Sequence, residues 1–270
     1  SWPIAIAALA VELVIIVAAT GWMLTRLFKL DPGTAYLSSF PGHLSFVLSI
    51  AATGVGNSRQ IVIIQVIRIL MLTIAVPIGT VFLPIDHFPP PEASAFMSPL
   101  QLLLLASGCV AVGLIFNWLR VPAGMVLGTM AAATGAKLGG FYVEAMPQPL
   151  VVTTFILTGA LIGSRFVGIT RSEFAAAAKG GLIATAMTLG IVTLTTLGVA
   201  QLVDMPFGQI WLGLSPGALE GMGALGIALG YDTAFIAAHH VIRLLMLSFA
   251  IPAVVVLVRW QEKKAQDRHI

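Results

Sequence analysis

The chain has 270 residues, of which 58% are hydrophobic and only 9% charged, and its mean hydropathy is +1.00. Soluble domains carry about a quarter of their residues as charges, so an ordinary soluble protein is excluded and a polytopic membrane protein is required. The net charge of +3 and pI of about 9.3 do not call for nucleic acid, because basic residues of membrane proteins gather in cytoplasmic loops. The single Cys109 excludes an intrachain disulfide and a thiolate metal cluster.

In chain order, apolar runs of roughly bilayer-spanning length occur at 3–27, 58–80, 98–118, 121–139, 149–170, 175–202 and 232–258. The expectation is an all-α membrane protein with about seven spanning helices. The run at 3–27 lacks a basic n-region and is too long for a signal peptide core. Two further stretches, 33–56 and 207–230, each hold a short apolar run, a Pro-Gly break and a longer run rich in small residues. Neither half alone covers a bilayer of about 30 Å at about 1.5 Å per residue. Each stretch is therefore a re-entrant hairpin or one broken crossing helix.

The two stretches are copies of one another. Pro41-Gly42 aligns with Pro216-Gly217 at an offset of 175, and the same offset carries Arg68 onto Arg243 and Pro77 onto Pro252. Over the last twelve positions, VIRILMLTIAVP against VIRLLMLSFAIP, eight residues are identical. Such a duplication has to be settled before any fold is assigned.

Charge places the copies in opposite orientations. Arg26, Lys29 and Arg59 put the base of the first stretch inside, whereas the loop 85–94 has no Lys or Arg. Arg165, Arg171, Lys179 and the tail bearing Arg259, Lys263, Lys264 and Arg268 are likewise inside, and 202–206 is outside. The second stretch then starts and ends outside. This is the inverted-topology repeat of many secondary transporters. The organisation expected is a first membrane repeat over 1–80, a Pro-rich external linker over 81–97, a complete second repeat over 98–260 and a cytoplasmic tail over 261–270. The first repeat lacks counterparts of the helices in 98–170, so about 80 residues carrying three more spans are expected ahead of residue 1.

Ionisable groups at bilayer depth are functional candidates. Arg68 and Arg243 lie near mid-helix, each on a polar stripe: Asn57, Ile61, Gln65, Arg68 in one copy and Asp232, Ile236, His239, Arg243 in the other, with His240 beside it. The arginines either line a substrate path or tie the hairpins to the scaffold through backbone carbonyls or Glu220. The breaks themselves, Pro41, Gly42 and His43 against Ser215, Pro216 and Gly217, would expose half-helix N-termini suited to an anion. Pro216 would open the second half-helix with Ser215 as its N-cap. Glu220, Asp232 and Glu12 are candidates for a coupling proton or cation, and His43 is either a proton carrier or an interior histidine. Gly124/Gly128, Gly159/Gly163 and Gly217/Gly221 read as packing faces. Trp2, Trp118, Trp211 and Trp260 read as interface anchors. No catalytic motif occurs and the adjacent His239-His240 do not chelate, so neither enzyme activity, metal nor cofactor is expected.

The run from Ser215 to Arg243 (Ser215, Pro216, Gly217, Leu219, Glu220, Met222, Gly230, Asp232, Phe235, Ala238, His240, Arg243), with RVPAG at 120–124 and GSRF at 163–166, resembles the AbrB-type integral membrane family. This is not the soluble DNA-binding regulator of similar name. The resemblance implies a duplicated membrane unit and a transporter; some members are labelled ammonia monooxygenase or regulator of gene expression. The function expected is alternating-access transport of a small solute, with a weak preference for an anion, driven by H+ or Na+. The setting is the bacterial inner membrane with the C-terminus cytoplasmic. The partners are lipid, solute and, as an open option, further copies of the chain, not nucleic acid. The rivals are an indirect regulator and a membrane monooxygenase.

Overall fold

In a computed structural model, residues 2–42, 44–81, 95–121, 124–142, 144–164, 167–217 and 219–266 are described. Among them the chain is all-helical: α1 (Trp2–Leu27), α2 (Pro32–Ser39), α3 (Leu44–Ala51), α4 (Ser58–Val81), α5 (Pro99–Trp118), α6 (Gly124–Leu138), α7 (Gln148–Ser164), α8 (Arg171–Ala200), α9 (Phe207–Leu214), α10 (Leu219–Ala228) and α11 (Thr233–Gln266). Five of these are long and apolar enough to cross a membrane: α1, α4, α5, α8 and residues 233–260 of α11. As described, α6 and α7 run for 15 and 17 residues, short of the ~20 that a perpendicular crossing needs. The proline-rich stretch 82–94 lies outside the described residues, so the expected linker is not described.

The chain divides into two compact units, 1–88 with 165–270, and 89–164. This division does not follow the two sequence copies, because both hairpins and the helices that hold them pack into the first unit. In the smaller unit α5 and α6 meet through glycine. A Cβ on Gly128 would lie 2.7 Å from Gly113 Cα, and one on Gly124 would lie 2.7 Å from the Asn117 backbone N, so Gly124 and Gly128 do form a packing face. Gly163 and Gly221 face open space and do not.

In the larger unit, α1, α4, α8 and α11 surround the two hairpins, α2–α3 and α9–α10. Their directions follow from specific contacts. Gly180, early in α8, packs on Leu24 and Phe28 at the end of α1, so α1 and α8 run antiparallel. Arg59 and Glu173 form an ion pair of 2.9 Å at the starts of α4 and α8, so these two run parallel. Trp2 lies edge-on to Phe235, ring centroids 5.7 Å apart, which makes α1 and α11 parallel. One end of the unit thus gathers Arg26, Arg59, Arg171 and Arg259; the other holds Asp204 and Asp232.

Each hairpin returns to the level at which it began. In the first, the Asn57 N–H donates to Thr34 Oγ1 at 2.6 Å, joining the start of α2 to the residue before α4. In the second, the Asp232 N–H donates to Gln209 Oε1 at 3.1 Å, joining the start of α9 to the residue before α11. Thr34 and Gln209, and Asn57 and Asp232, are the same positions in the two copies. The first return is tight: Gly56 has φ +74°, and a Cβ there would meet Thr34 N at 2.5 Å, so only glycine fits without strain.

Candidate functional site

The breaks lie deep inside the unit. Arg68 and Arg243 each sit ten residues past the first residue of their helix, about 15 Å along the axis, half the thickness of a bilayer core. The Arg243 Nη1–H donates to the carbonyls of Leu214 (3.2 Å) and Ser215 (2.8 Å). The Arg68 Nη1–H donates to Ser38 O at 3.5 Å, and its Nη2–H donates to Gln65 Oε1. Gln65 Nε2 in turn donates to Leu37 O and Phe40 O, both at 3.1 Å. Both arginines therefore occupy the carbonyl end of the first half-helix, α2 or α9, where a cation complements the dipole. Of the two roles left open for them, the geometry supplies the tie between hairpin and scaffold.

Ser215 was expected as the N-cap of a half-helix opening at Pro216. The structure corrects both points: α10 begins at Leu219, and Ser215 is the C-cap of α9, with φ −62° and ψ 129°. Extended backbone at Ser215, followed by Pro216 and Gly217, breaks the helix for longer than a single kink would. In the first copy α2 ends at Ser39, Phe40 is its C-cap, and Gly42 takes φ +123°, beside Leu247. Pro41 and Pro216 are buried. His43 lies outside the described residues, and Glu220 is in α10 without its side chain described.

The other candidates separate clearly. Asp232 is exposed and caps α11: its Oδ1 accepts from the Ala234 and Phe235 N–H groups at 2.9 and 3.3 Å. Asn57 does the same for Arg59 and Gln60 in the other copy. The structure does not bring Asp232 to the buried arginines. His240 and His239 are buried, each with Nδ1 on the carbonyl one turn back (Ile236 at 2.9 Å, Phe235 at 2.8 Å) and Nε2 without a partner. If Nδ1 carries the proton, as a carbonyl partner requires, Nε2 is an open acceptor. Glu12 is 1% exposed and neither of its oxygens is hydrogen-bonded. Arg68 and Arg243, one from each copy, are buried in the same unit, 5% and 3% exposed. Among the described residues, no three His, Cys, Asp or Glu side chains gather to hold an ion.

Several further buried groups in this unit were not singled out from sequence. Ser38 Oγ, Thr20 Oγ1 and Thr196 Oγ1 are buried with no partner, as is Ser215 Oγ. A lone hydroxyl in an apolar run gives no sequence signal, since such groups usually bond the carbonyl one turn back, as Thr185 and Thr188 do. Trp211 is also corrected: it is 8% exposed, its Nε1–H donates to Thr193 Oγ1 at 3.2 Å, and its ring covers Gly79. It is a core residue, whereas Trp2, Trp118 and Trp260 are exposed. Beside the break, α1, α2 and α11 line an open apolar pocket of about 440 Å³ that reaches Phe40 and Leu247.

A family model described as "Transition state regulatory protein AbrB" matches residues 1–259. The chain belongs to the AbrB family. It is 24% identical over 262 residues to "Uncharacterized protein YhjN" of Bacillus subtilis (strain 168), covering 88% of this chain and 67% of that protein. It is 24% identical over 257 residues to "Putative regulator AbrB" of Escherichia coli (strain K12), covering 94% of this chain and 74% of that protein. No solved structure matches. The AbrB family thus includes a chain with five apolar helices of crossing length and two buried helix breaks.

Proposed function

We propose that this chain is the transport core of a secondary transporter built as an inverted-topology repeat, with its activity the movement of a small solute by alternating access rather than a chemical conversion. The observation that carries the reading is the pair of hairpins. α2–α3 starts and returns at the basic end of the unit and α9–α10 at the other. Their breaks lie at mid-depth beside buried polar groups that have no partner. The inversion draws support from equivalent helices: at the offset of 175, α1 corresponds in position to α8 and α4 to α11, and the members of each pair run antiparallel. Paired broken helices of this kind supply ligand groups at mid-membrane while the rest of the fold stays helical. Unpartnered Ser38, Ser215, His240 and Glu12 are polar capacity that a solute or ion would use.

The basic end, with Arg26, Arg59, Arg171 and Arg259, faces the cytoplasm by the positive-inside bias, which puts the C-terminus inside. The bacterial relatives fit an inner-membrane location. The solute-binding set we propose is Pro41, Gly42, His43, Ser215, Pro216, Gly217, Glu220 and His240, with Arg68 and Arg243 holding the breaks in place. Either H+ or Na+ drives transport.

The names of the family and of the E. coli protein carry the word regulator, which favours one second reading: an effect on gene expression exerted through solute levels. A thermal-shift screen of small metabolites across pH, followed by counterflow of each hit in proteoliposomes, tests the main reading. A ligand that stabilises the wild type, is exchanged across the bilayer and loses its effect with Glu220→Ala supports it. Failure of every hit to exchange, with an effect on transcription retained, overturns it in favour of the second.

A further inference from the structure

Glu12 has no counterpart in the duplication; the equivalent position, 175 residues on, is Met187. It lies ten residues past the start of α1, as Arg243 does past the start of α11. Because these helices run parallel from the same end, the two side chains stand at one depth. They interact electrostatically, yet they are not within 4.0 Å, since the only ion pair among the described residues is Arg59–Glu173. Arg243 instead spends its Nη1–H on the carbonyls of Leu214 and Ser215. A carboxylate in an apolar interior with no hydrogen bond and no ion pair is costly, whereas the neutral acid is tolerated.

We propose that Glu12 carries the coupling proton of this site and that Arg243 exchanges partners to control it. In the arrangement seen, Arg243 holds the end of α9 and Glu12 is the neutral acid. When the α9–α10 hairpin moves and withdraws the Leu214 and Ser215 carbonyls, the Arg243 guanidinium turns to Glu12. The O–H bond of Glu12 breaks, its proton leaves to water in the opened path, and the carboxylate pairs with the guanidinium, which stays charged throughout. Proton binding to Glu12 drives the reverse step. The proposal rests on the transport reading for the hairpin movement and adds which ion is coupled and where.

The surroundings leave this pairing little competition. α1 is packed by α2, α8 and α11. α2 brings Tyr36; the charges of α8, Arg171, Glu173 and Lys179, lie in its first turns at the basic end; α11 brings His239, His240 and Arg243. Of these, Arg243 is the one whose charge acts on Glu12.

Two measurements on the full-length protein test the idea. Infrared difference spectroscopy in detergent should show a protonated carboxylic acid band near neutral pH that disappears in Glu12→Gln and shifts in Glu12→Asp, which also serves if the glutamine variant does not accumulate. Absence of any band that these variants alter overturns the proposal. In a Cys109→Ala background, maleimide labelling of Ser215→Cys in membrane vesicles should rise from about pH 6 to about pH 10 roughly tenfold more than it does when Glu12 is also Gln, where the rise reports the thiol's own ionisation. An equal rise in both backgrounds overturns the exchange of partners. If both results come out as expected but no solute exchanges in proteoliposomes, the transport reading fails while the switch stands.

Discussion

The two hairpins share a skeleton and differ in what they leave unsatisfied. In the first, Gln65 fills the space under the break and bonds two carbonyls and Arg68, so the polar groups on α4 are largely paired. In the second, the same position is His240, whose Nε2 is open, and Arg243 alone ties the carbonyls. The shared parts, an arginine on the end of the first half-helix and a side-chain clasp at the base, are what any buried break needs. The part that differs is the side chain beside the break, Gln65 in one copy and His240 in the other. The first hairpin is therefore the better-fixed one, and the second leaves an open imidazole nitrogen beside its break.

The largest expected effect separates the arginines. Arg243→Ala leaves two buried carbonyls without their donor and should lower stability by about 2–4 kcal/mol, read as a fall in the unfolding midpoint in detergent. Arg68→Ala should cost less, because Gln65 still serves Leu37 and Phe40; equal losses would break the comparison. Next comes the base of each hairpin. Gly56→Ala forces a positive φ and a backbone clash and should cost roughly 2 kcal/mol. Gly208→Ala meets the Tyr231 side chain first, a side chain rather than backbone, and should cost roughly 1 kcal/mol. A reversed order in a thermal melt would show that the second base is the tighter.

A smaller change in stability, under about 1 kcal/mol, is expected for His240→Gln, since His240 makes one bond to its own helix. Its effect on ligand-induced thermal shift should exceed that of Gln65→His if the second hairpin is the binding one. The smallest effect belongs to the ion pair that joins α4 to α8. Arg59→Ala should cost under about 1 kcal/mol, because Arg59 is 69% exposed, and high salt should erase the difference.

Much of this arrangement is legible in the amino-acid order. The offset of 175 pairs Arg68 with Arg243 and Asn57 with Asp232, and the structure gives each pair one role. The Pro-Gly breaks were legible because proline and glycine act locally on the backbone. Asp232 was ambiguous, since a carboxylate beginning an apolar helix reads alike as an ion site and as an N-cap; the structure shows the cap. Ser215 misled for a similar reason, as a serine before proline suits the end of one helix or the start of another. In sequence Trp211 and Trp118 read alike, and whether Trp211 meets lipid or Gly79 depends on a neighbour more than 100 residues away.

Sequence alone determined that the chain is helical and apolar, that it is duplicated, and where its helices break, because hydropathy, repetition and backbone stiffness are properties of neighbouring residues. Only the tertiary structure decided that each break is a hairpin, that its arginine binds carbonyls, and that Glu12 stands unpaired opposite Arg243. Those outcomes rest on contacts such as Thr34 with Asn57 and Gln209 with Asp232. Such a contact forms, or fails to form, only once separate helices have packed and excluded the water that would otherwise satisfy every polar group.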